Sequence, residues 1–183
     1  MDHLEAIVKL DNAINLEIID KLIPFINHRA KKYLGLAASR LDKNVRNVKG
    51  HHLTYDNDPT DMFYWNYIKT EIERLYYFYK IKFPKMASHK INQIDLLKYD
   101  VGGKYNVHTD HYTNSPRHLS IIMNLNNDYE GGDLIFADQK ENEIKRLKLG
   151  KGSIVFFPSN FMYPHGIQPI TKGTRYSIVA WLE

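Results

Sequence analysis

The chain has 183 residues, with 25 Lys and Arg against 21 Asp and Glu and a formal net charge of +4. This length suits one compact domain with a sizeable core, and the mild, unclustered charge argues against a nucleic-acid partner, which needs a dense basic stripe. Because the chain contains no cysteine, disulfides, thiolate metal sites and cysteine nucleophiles are excluded, and His and carboxylates remain as metal ligands.

The apolar segments of the sequence are all short. The first ten residues carry charges among short apolar side chains and lack the apolar core of a signal peptide. No apolar run approaches the length of a membrane span. We therefore expect a soluble, cytoplasmic protein without a membrane partner.

Apolar residues recur at helical spacing in the first half of the chain. Asn15 is a candidate N-cap for a first helix,, and Pro24 is expected to kink or split that helix. A second helix is predicted to start at Thr60 or Asp61. Its apolar stripe consists of Ile68, Ile72, Leu75 and Tyr79. Its other aromatic residues are expected to pack in the core or against a sheet, namely Phe63, Tyr64, Trp65, Tyr67, Tyr76, Tyr77 and Phe78.

From Lys90 onward, apolar residues recur at every second position. The alternation at 118–125 predicts a half-buried strand,, and further strands are predicted at 134–136, 144–149, 153–157 and 174–182. Many short strands with Gly and Pro turns favour an α+β fold. We expect a double-stranded β-helix (jelly roll) with N-terminal supporting helices packed on one sheet. The predicted organisation is a single domain over 1–183, with 1–88 as mainly helical support and 89–183 as the jelly-roll core.

Three residues in the second half suggest metal chemistry. His108 and Asp110 lie two apart in a strand-like segment, so both side chains point to one face, and His165 follows later,. Two imidazoles and one carboxylate are the donor set of a facial Fe(II) site with open positions. Taken alone, His165 also fits a core-edge histidine that bonds a backbone carbonyl.

Arg175 and Ser177 share one face of the last predicted strand,. Burying an inward-facing guanidinium costs folding free energy unless an anion pairs with it. That anion is either a bound co-substrate, which the planar fork of Arg suits, or a carboxylate of Asp110 or Glu130 in a structural salt bridge.

A longer series of motifs surrounds these residues. It comprises Tyr99-Asp-Val-Gly-Gly-Lys-Tyr105-Asn-Val-His108-Thr-Asp110, Arg117-His-Leu-Ser120, Asn124-Leu-Asn, Tyr129-Glu-Gly-Gly-Asp133, Gly150-Lys-Gly-Ser153, Phe157-Pro-Ser, the segment from His165-Gly-Ile-Gln-Pro169 to Gly173-Thr-Arg175-Tyr-Ser177, and Trp181. In this order and spacing, the chain from Leu97 onward resembles the Fe(II)- and 2-oxoglutarate-dependent oxygenases, in particular their prolyl 4-hydroxylase-like branch.

This resemblance implies a metal site in which His108, Asp110 and His165 hold Fe(II), with no catalytic residue beyond these ligands. It implies 2-oxoglutarate as co-substrate and O2 as oxidant, and it leaves ascorbate open as an accessory reductant. Arg175 would bind the distal carboxylate of 2-oxoglutarate, with Ser177 as a second donor.

The resemblance assigns three further residues. Tyr99 matches a tyrosine that helps to hold the same carboxylate, and Tyr105 matches a position that faces the substrate mouth. Asn124 stands where some relatives have Tyr and is a further candidate for binding the co-substrate. The prolyl hydroxylases of collagen-like substrates carry Lys in place of Arg175, which leaves the substrate open.

The leading functional hypothesis is hydroxylation of a C–H bond, with a peptidyl proline as substrate and release of succinate and CO2. A peptide or protein substrate is favoured over a small molecule. The alternatives are a hydroxylase of a free amino acid or small metabolite and a non-catalytic jelly-roll binding module. A nucleic-acid demethylase is disfavoured because Trp181 stands where such relatives carry a second Arg. A zinc hydrolase is disfavoured because no Glu lies near His108 as a general base.

Overall fold

The computed structural model describes residues 2–34, 42–56, 58–87, 90–114 and 116–183. A short 3-10 helix covers His3–Ala6, and the described α-helices are α1 (Leu16–Arg29) and α2 (Pro59–Lys82). The described strands are β1 (Val8–Leu10), β2 (Lys32–Tyr33), β3 (Arg46–Asn47), β4 (Lys49–Leu53), β5 (Ile91–Tyr99), β6 (Lys104–His108), β7 (Leu119–Asn124), β8 (Glu130–Gly131), β9 (Leu134–Ala137), β10 (Glu143–Leu147), β11 (Ser153–Pro158), β12 (His165–Ile167), β13 (Ile170–Lys172) and β14 (Arg175–Leu182).

The described strands form two main antiparallel sheets and one small ladder. The larger sheet has the order β1-β11-β7-β14-β5-β4-β2, and the smaller sheet has the order β10-β9-β12-β6-β3. Strands β13 and β8 pair with each other. One apolar cluster fills the space between the two helices and the larger sheet, and a second cluster lies between the two main sheets. This arrangement is the predicted α+β jelly roll with helices on one sheet.

Helix α1 begins where the sequence predicts. The Asn15 side chain caps it by accepting a hydrogen bond from the Glu17 N–H at 2.8 Å,. The helix is continuous from Leu16 to Arg29 with Pro24 inside it, so the expected split does not occur. Burial of Ile18, Ile19, Leu22 and Ile26 holds the segment against the larger sheet.

Helix α2 begins slightly earlier than predicted, at Pro59. The Asp58 carboxylate caps it and accepts hydrogen bonds from the N–H groups of Thr60 and Asp61, and the predicted stripe of Ile68, Ile72, Leu75 and Tyr79 is buried.

The aromatic residues of α2 divide between its two faces. Tyr64 and Tyr76 are buried, as expected, but Phe63, Tyr77 and Phe78 are exposed, so the packing prediction is wrong for these three. Their exposure follows from the architecture, because only one face of this surface helix contacts the sheet.

Strand β7 is buried along its whole length. The alternating pattern at 118–125 predicts a half-buried strand, but every residue from Leu119 to Asn124 is buried. The helices cover one face of the larger sheet and the smaller sheet covers the other. Polar side chains on β7 therefore face the interior of the jelly roll.

The first half of the chain is less purely helical than expected. Strand β1 pairs with β11, β4 pairs with β5, and β3 pairs with β6, so this half extends both main sheets. These two- to five-residue strands have too few positions for a recognisable alternation. The division after residue 88 stays a prediction, and residues 88 and 89 lie outside the described residues.

Neither α-helix in the described ranges combines the length and the apolar character that crossing a membrane requires.

Candidate active site

Strand pairing brings the three predicted metal ligands together. His108 is the last residue of β6, and His165, the first residue of β12, is its cross-strand partner. Asp110 lies in the bend just after β6, where its N–H donates to the Ser159 carbonyl at 3.2 Å. One potential ligand atom from each of the three side chains lies within 4.8 Å of the others.

Both histidines turn the same ring nitrogen toward the carboxylate. Nε2 of His108 lies 3.3 Å from Asp110 Oδ1, and Nε2 of His165 lies 3.4 Å from Oδ2. Each Nδ1 bonds the backbone carbonyl two residues earlier, that of Asn106 at 2.8 Å and that of Tyr163 at 3.1 Å. Nδ1 then carries the proton and Nε2 offers a lone pair, which is how metal-bound histidines are usually held.

The electrostatics of the three residues suit a cation. Burial acts to raise the pKa of Asp110, but the imidazoles of His165 and His108 outweigh it and hold that pKa well below its ordinary range. Burial, together with the neighbouring His165, lowers the pKa of His108 below its ordinary value. The site therefore presents an ionised carboxylate and a neutral imidazole, the protonation states that metal ligands require.

Arg175 lies on β14 and is 1% exposed. Its Nε donates to Asn124 Oδ1 at 3.1 Å, and among the described residues its Nη2 and the Ser177 hydroxyl have no hydrogen-bond partner. The structural salt bridge with Asp110 or Glu130 does not form; Glu130 instead pairs with Lys172 at 3.0 Å. Two buried, unsatisfied donors on one strand face are consistent with an anionic ligand.

A glycine makes room for this guanidinium. Gly132 adopts a φ of +68°, and a Cβ built on it would lie 3.2 Å from Arg175 Cδ. The positive φ disfavours residues with a side chain, and any side chain there would crowd Arg175.

The two predicted tyrosines lie in the same pocket as the metal ligands and Arg175. This pocket has about 440 Å³ of empty space, including its opening to solvent. Tyr99 is the cross-strand partner of Arg175, whose Cζ lies 5.2 Å from the Tyr99 ring centroid. Burial raises the pKa of Tyr99, so its hydroxyl stays protonated. The Tyr105 ring stacks on the His108 ring at 3.6 Å.

The side-chain amide of Asn124 is hydrogen-bonded at both its nitrogen and its oxygen. Its Nδ2 donates to the carbonyls of Asn126, Leu149 and Gly150, at 2.6, 3.1 and 3.2 Å. Its Oδ1 accepts from Arg175 Nε and from the Tyr129 hydroxyl. Because its amide donors are occupied, Asn124 orients Arg175 and has no free donor for a co-substrate.

Sequence reasoning missed Arg46 as a pocket residue. Arg46 on β3 is the cross-strand partner of Tyr105, and its Cζ lies 4.7 Å from the Tyr105 ring centroid. Nothing in its local sequence signals this position, because only the pairing of β3 with β6 creates it.

Two further side chains bond Asp110. The Ser120 hydroxyl donates to Asp110 Oδ2 at 2.6 Å, and the Trp181 indole N–H donates to the same oxygen at 2.9 Å. Both residues belong to the motif series of the sequence, but their contact with Asp110 depends on strand register and is not predictable from it.

A family model matches the part of the chain that carries these residues. The family model described as the 2OG-Fe(II) oxygenase superfamily matches residues 94–183, a range that contains all three candidate ligands and Arg175. Residues 94–183 belong to this oxygenase superfamily.

Individual curated relatives are hydroxylases by name. A PKHD-type hydroxylase from Gloeothece citriformis is 30% identical over 100 residues, which is 51% of this chain and 44% of the relative. The chain spans about half the length of the curated relatives it matches.

Solved structures show the same fold. A prolyl-4-hydroxylase from Pseudomonas putida superimposes with a TM-score of 0.76 at 16% identity, over 100% of this chain and 96% of that chain. A prolyl hydroxylase from Trichoplax adhaerens, in complex with a hypoxia inducible factor peptide fragment, gives a TM-score of 0.77 at 16% identity, over 99% and 86%. The fold is that of the prolyl hydroxylase-like branch.

The site residues fit the two cofactors in the name of this superfamily. Two imidazole nitrogens and one carboxylate are suitable donors for Fe(II), and both Nδ1 atoms are already bonded to carbonyls. The unsatisfied Arg175 Nη2 in the same pocket suits a carboxylate,.

Proposed function

We propose that this chain is a 2-oxoglutarate-dependent dioxygenase that hydroxylates a C–H bond of a peptidyl proline. The observation that carries the proposal is the convergence, in one pocket, of the His108, Asp110 and His165 donor atoms with the unsatisfied guanidinium of Arg175. A metal-binding module without catalysis would need no buried anion site beside its metal.

Each residue has a defined task in this proposal. His108, Asp110 and His165 hold Fe(II) through Nε2, a carboxylate oxygen and Nε2. Arg175 binds the distal carboxylate of 2-oxoglutarate through Nη2, and the Ser177 hydroxyl, unbonded within the described residues, is a second donor.

The two tyrosines shape the co-substrate end and the mouth. The protonated hydroxyl of Tyr99 is a further donor beside Arg175. Tyr105 covers one face of His108 by stacking and shields that ligand from water.

Bound Fe(II) with 2-oxoglutarate and O2 supplies the oxidation: one oxygen atom enters the C–H bond as a hydroxyl group and the other enters succinate, with release of CO2. The chain's own contribution is positioning, because a target carbon held near the metal reacts in place of the surrounding side chains.

A polypeptide substrate is supported by the surface near the site. Tyr112, Phe161 and Met162 are 47%, 67% and 43% exposed and lie in the loops after Asp110 and before His165. Exposed aromatic and Met side chains are enriched at protein interfaces. The Trichoplax adhaerens prolyl hydroxylase is itself a complex with a peptide.

The test is mass spectrometry of proline-containing peptides incubated with the protein, Fe(II), 2-oxoglutarate, ascorbate and air. We expect a peptide to gain one oxygen atom, with succinate formed in equal amount. Asp110→Ala should abolish both products, and Asp138→Ala, a change in an exposed turn, should leave them unchanged.

Other outcomes identify other functions. Oxygen gain by free proline or another small molecule, with none by peptides, would favour the small-metabolite hydroxylase. Bound metal and 2-oxoglutarate without succinate formation from any substrate would favour the binding module.

A further inference from the structure

One oxygen of the Asp110 carboxylate is held by two donors from the larger sheet. Oδ2 accepts from the Ser120 hydroxyl at 2.6 Å and from the Trp181 indole N–H at 2.9 Å. Ser120 and Trp181 are cross-strand partners between β7 and β14, so their side chains leave the sheet on the same face. Asp110, Ser120 and Trp181 are all buried, and buried hydrogen bonds to a carboxylate are among the stronger ones.

The other oxygen has different surroundings. Oδ1 lies 3.3 Å from Nε2 of His108, whereas Nε2 of His165 approaches Oδ2 at 3.4 Å. A carboxylate oxygen offers about two lone-pair positions. The Ser120 hydroxyl and the Trp181 indole occupy both lone-pair positions of Oδ2, since they lie closer to it than the His165 imidazole does. Oδ1 therefore keeps its lone pairs for a cation between the histidines.

The Trp181 indole is held in place by Arg117. The Arg117 guanidinium carbon lies 3.7 Å from the Trp181 ring centroid, and its Nη2 donates to Gln93 Oε1 at 2.8 Å. Gln93 is the cross-strand partner of Trp181 on β5. A cation over an indole face attracts the ring, so the Trp181 side chain is clamped between its own strand and Arg117.

We propose that Ser120 and Trp181 are positioning residues that restrict Asp110 to binding the metal through Oδ1 alone. The inference rests on the proposed function, since it needs the metal site. A second Asp110 oxygen would occupy a coordination position that this donor set otherwise leaves open, and the co-substrate and O2 need those positions.

The test uses Co(II) alone as the probe, with binding followed by calorimetry and by visible absorption. Ser120→Ala, Trp181→Phe and the double variant release Oδ2. We expect the Co(II) bands to lose intensity as Oδ2 becomes a further ligand. We also expect Co(II) affinity to fall about 10- to 100-fold in the double variant, the usual effect of removing the partners of a metal ligand.

Ser159→Ala is the matched control. Its hydroxyl is buried and lies 2.8 Å from the Ser120 hydroxyl without bonding Asp110, so its removal creates a similar small cavity. The Ser159 variant should keep the Co(II) spectrum of the unsubstituted protein. Ser120→Thr retains a hydroxyl donor and should show that same spectrum, unlike Ser120→Ala. Ser120→Ala decides the question by itself if the Trp181 variant does not fold.

An unchanged Co(II) spectrum in folded Ser120→Ala and in the double variant would show that Oδ2 is not restrained in this way, whatever happens to affinity. A Ser159→Ala spectrum like that of Ser120→Ala would assign the effect to packing and equally refute the proposal. Failure of the unsubstituted protein to bind Co(II), or binding unaffected by His165→Ala, would instead refute the metal site and the proposed function with it.

Discussion

Arg175 is a buried guanidinium whose partner in the protein is neutral. Its Nε bonds an amide oxygen of Asn124, and its Nη2 has no partner within the described ranges. A buried charge with so little compensation costs folding free energy. A ligand carboxylate would supply the missing partner, and this explains why the structure tolerates the residue.

Arg175→Gln should therefore weaken use of the co-substrate. Loss of a hydrogen bond between charged groups costs about 2 kcal/mol, which is a rise of about 30-fold in the KM for 2-oxoglutarate. The measurement is succinate formation against 2-oxoglutarate concentration, with Co(II) binding as a check that the metal site is intact. Arg146→Gln, on the exposed β10, is the control. An unchanged KM would remove Arg175 from the co-substrate site.

The sequence predicts the ligand residues better than it predicts their support. The candidate ligands His108, Asp110 and His165 follow from residue type and spacing, because an Fe(II) site requires such donors. The hydrogen bonds of Asn124 are not predictable in this way, since they depend on how the chain near Gly150 folds against β7. Ser120 and Trp181 reach Asp110 only through strand register, which no local pattern contains.

At the scale of elements, β4 and β5 are joined by an ion pair as well as by backbone hydrogen bonds. His52 and Asp95 are cross-strand partners, and His52 Nδ1 lies 2.6 Å from Asp95 Oδ1. The hydrogen bond to Asp95 raises the pKa of His52 above its ordinary 6.5, against the opposing effect of burial. Asp95 is 2% exposed, so it depends on such partners.

This pair predicts a pH-dependent contribution to stability. Since the folded pKa of His52 is raised, protonated His52 stabilises the fold fully below pH 6.5, and the contribution is lost as pH rises through the folded pKa,. His52→Gln should therefore lower the free energy of unfolding more at about pH 5.5 than at about pH 9. The difference should stay below about 1 kcal/mol, because the His52 side chain is largely exposed,.

Urea unfolding at the two pH values measures this difference. In an Asp95→Asn background the cost of His52→Gln should be equal at both pH values. An equal cost in the presence of Asp95 would show that the ion pair contributes nothing to the pairing of β4 with β5.

Helices and strands that are long enough to show a periodic apolar pattern were predictable from the sequence, and the short strands were not. The helical stripes of α1 and α2 and the alternation of β7 identify their elements because each spans several residues. The alternation of β7 predicted a half-buried strand, but both faces are buried because the smaller sheet covers the second one. Strands β1 to β4 become strands only by pairing with distant partners.

At the scale of the whole molecule, the candidate site is divided between the two sheets. His108 on β6 and His165 on β12 belong to the smaller sheet, whereas Arg175 on β14 and Tyr99 on β5 belong to the larger one. Asp110 joins the two halves, because its carboxylate lies beside both histidines and is held from the larger sheet. Packing of one sheet on the other therefore sets the distance between the candidate metal ligands and Arg175.

The most direct test of this account is an anaerobic titration of Fe(II) into the protein with 2-oxoglutarate, followed by visible absorption. We expect a metal-to-ligand charge-transfer band that requires both Fe(II) and 2-oxoglutarate, is lost in His165→Ala and needs more 2-oxoglutarate in Arg175→Gln. A folded protein without such a band, or a band that survives His165→Ala unchanged, would contradict the proposed site.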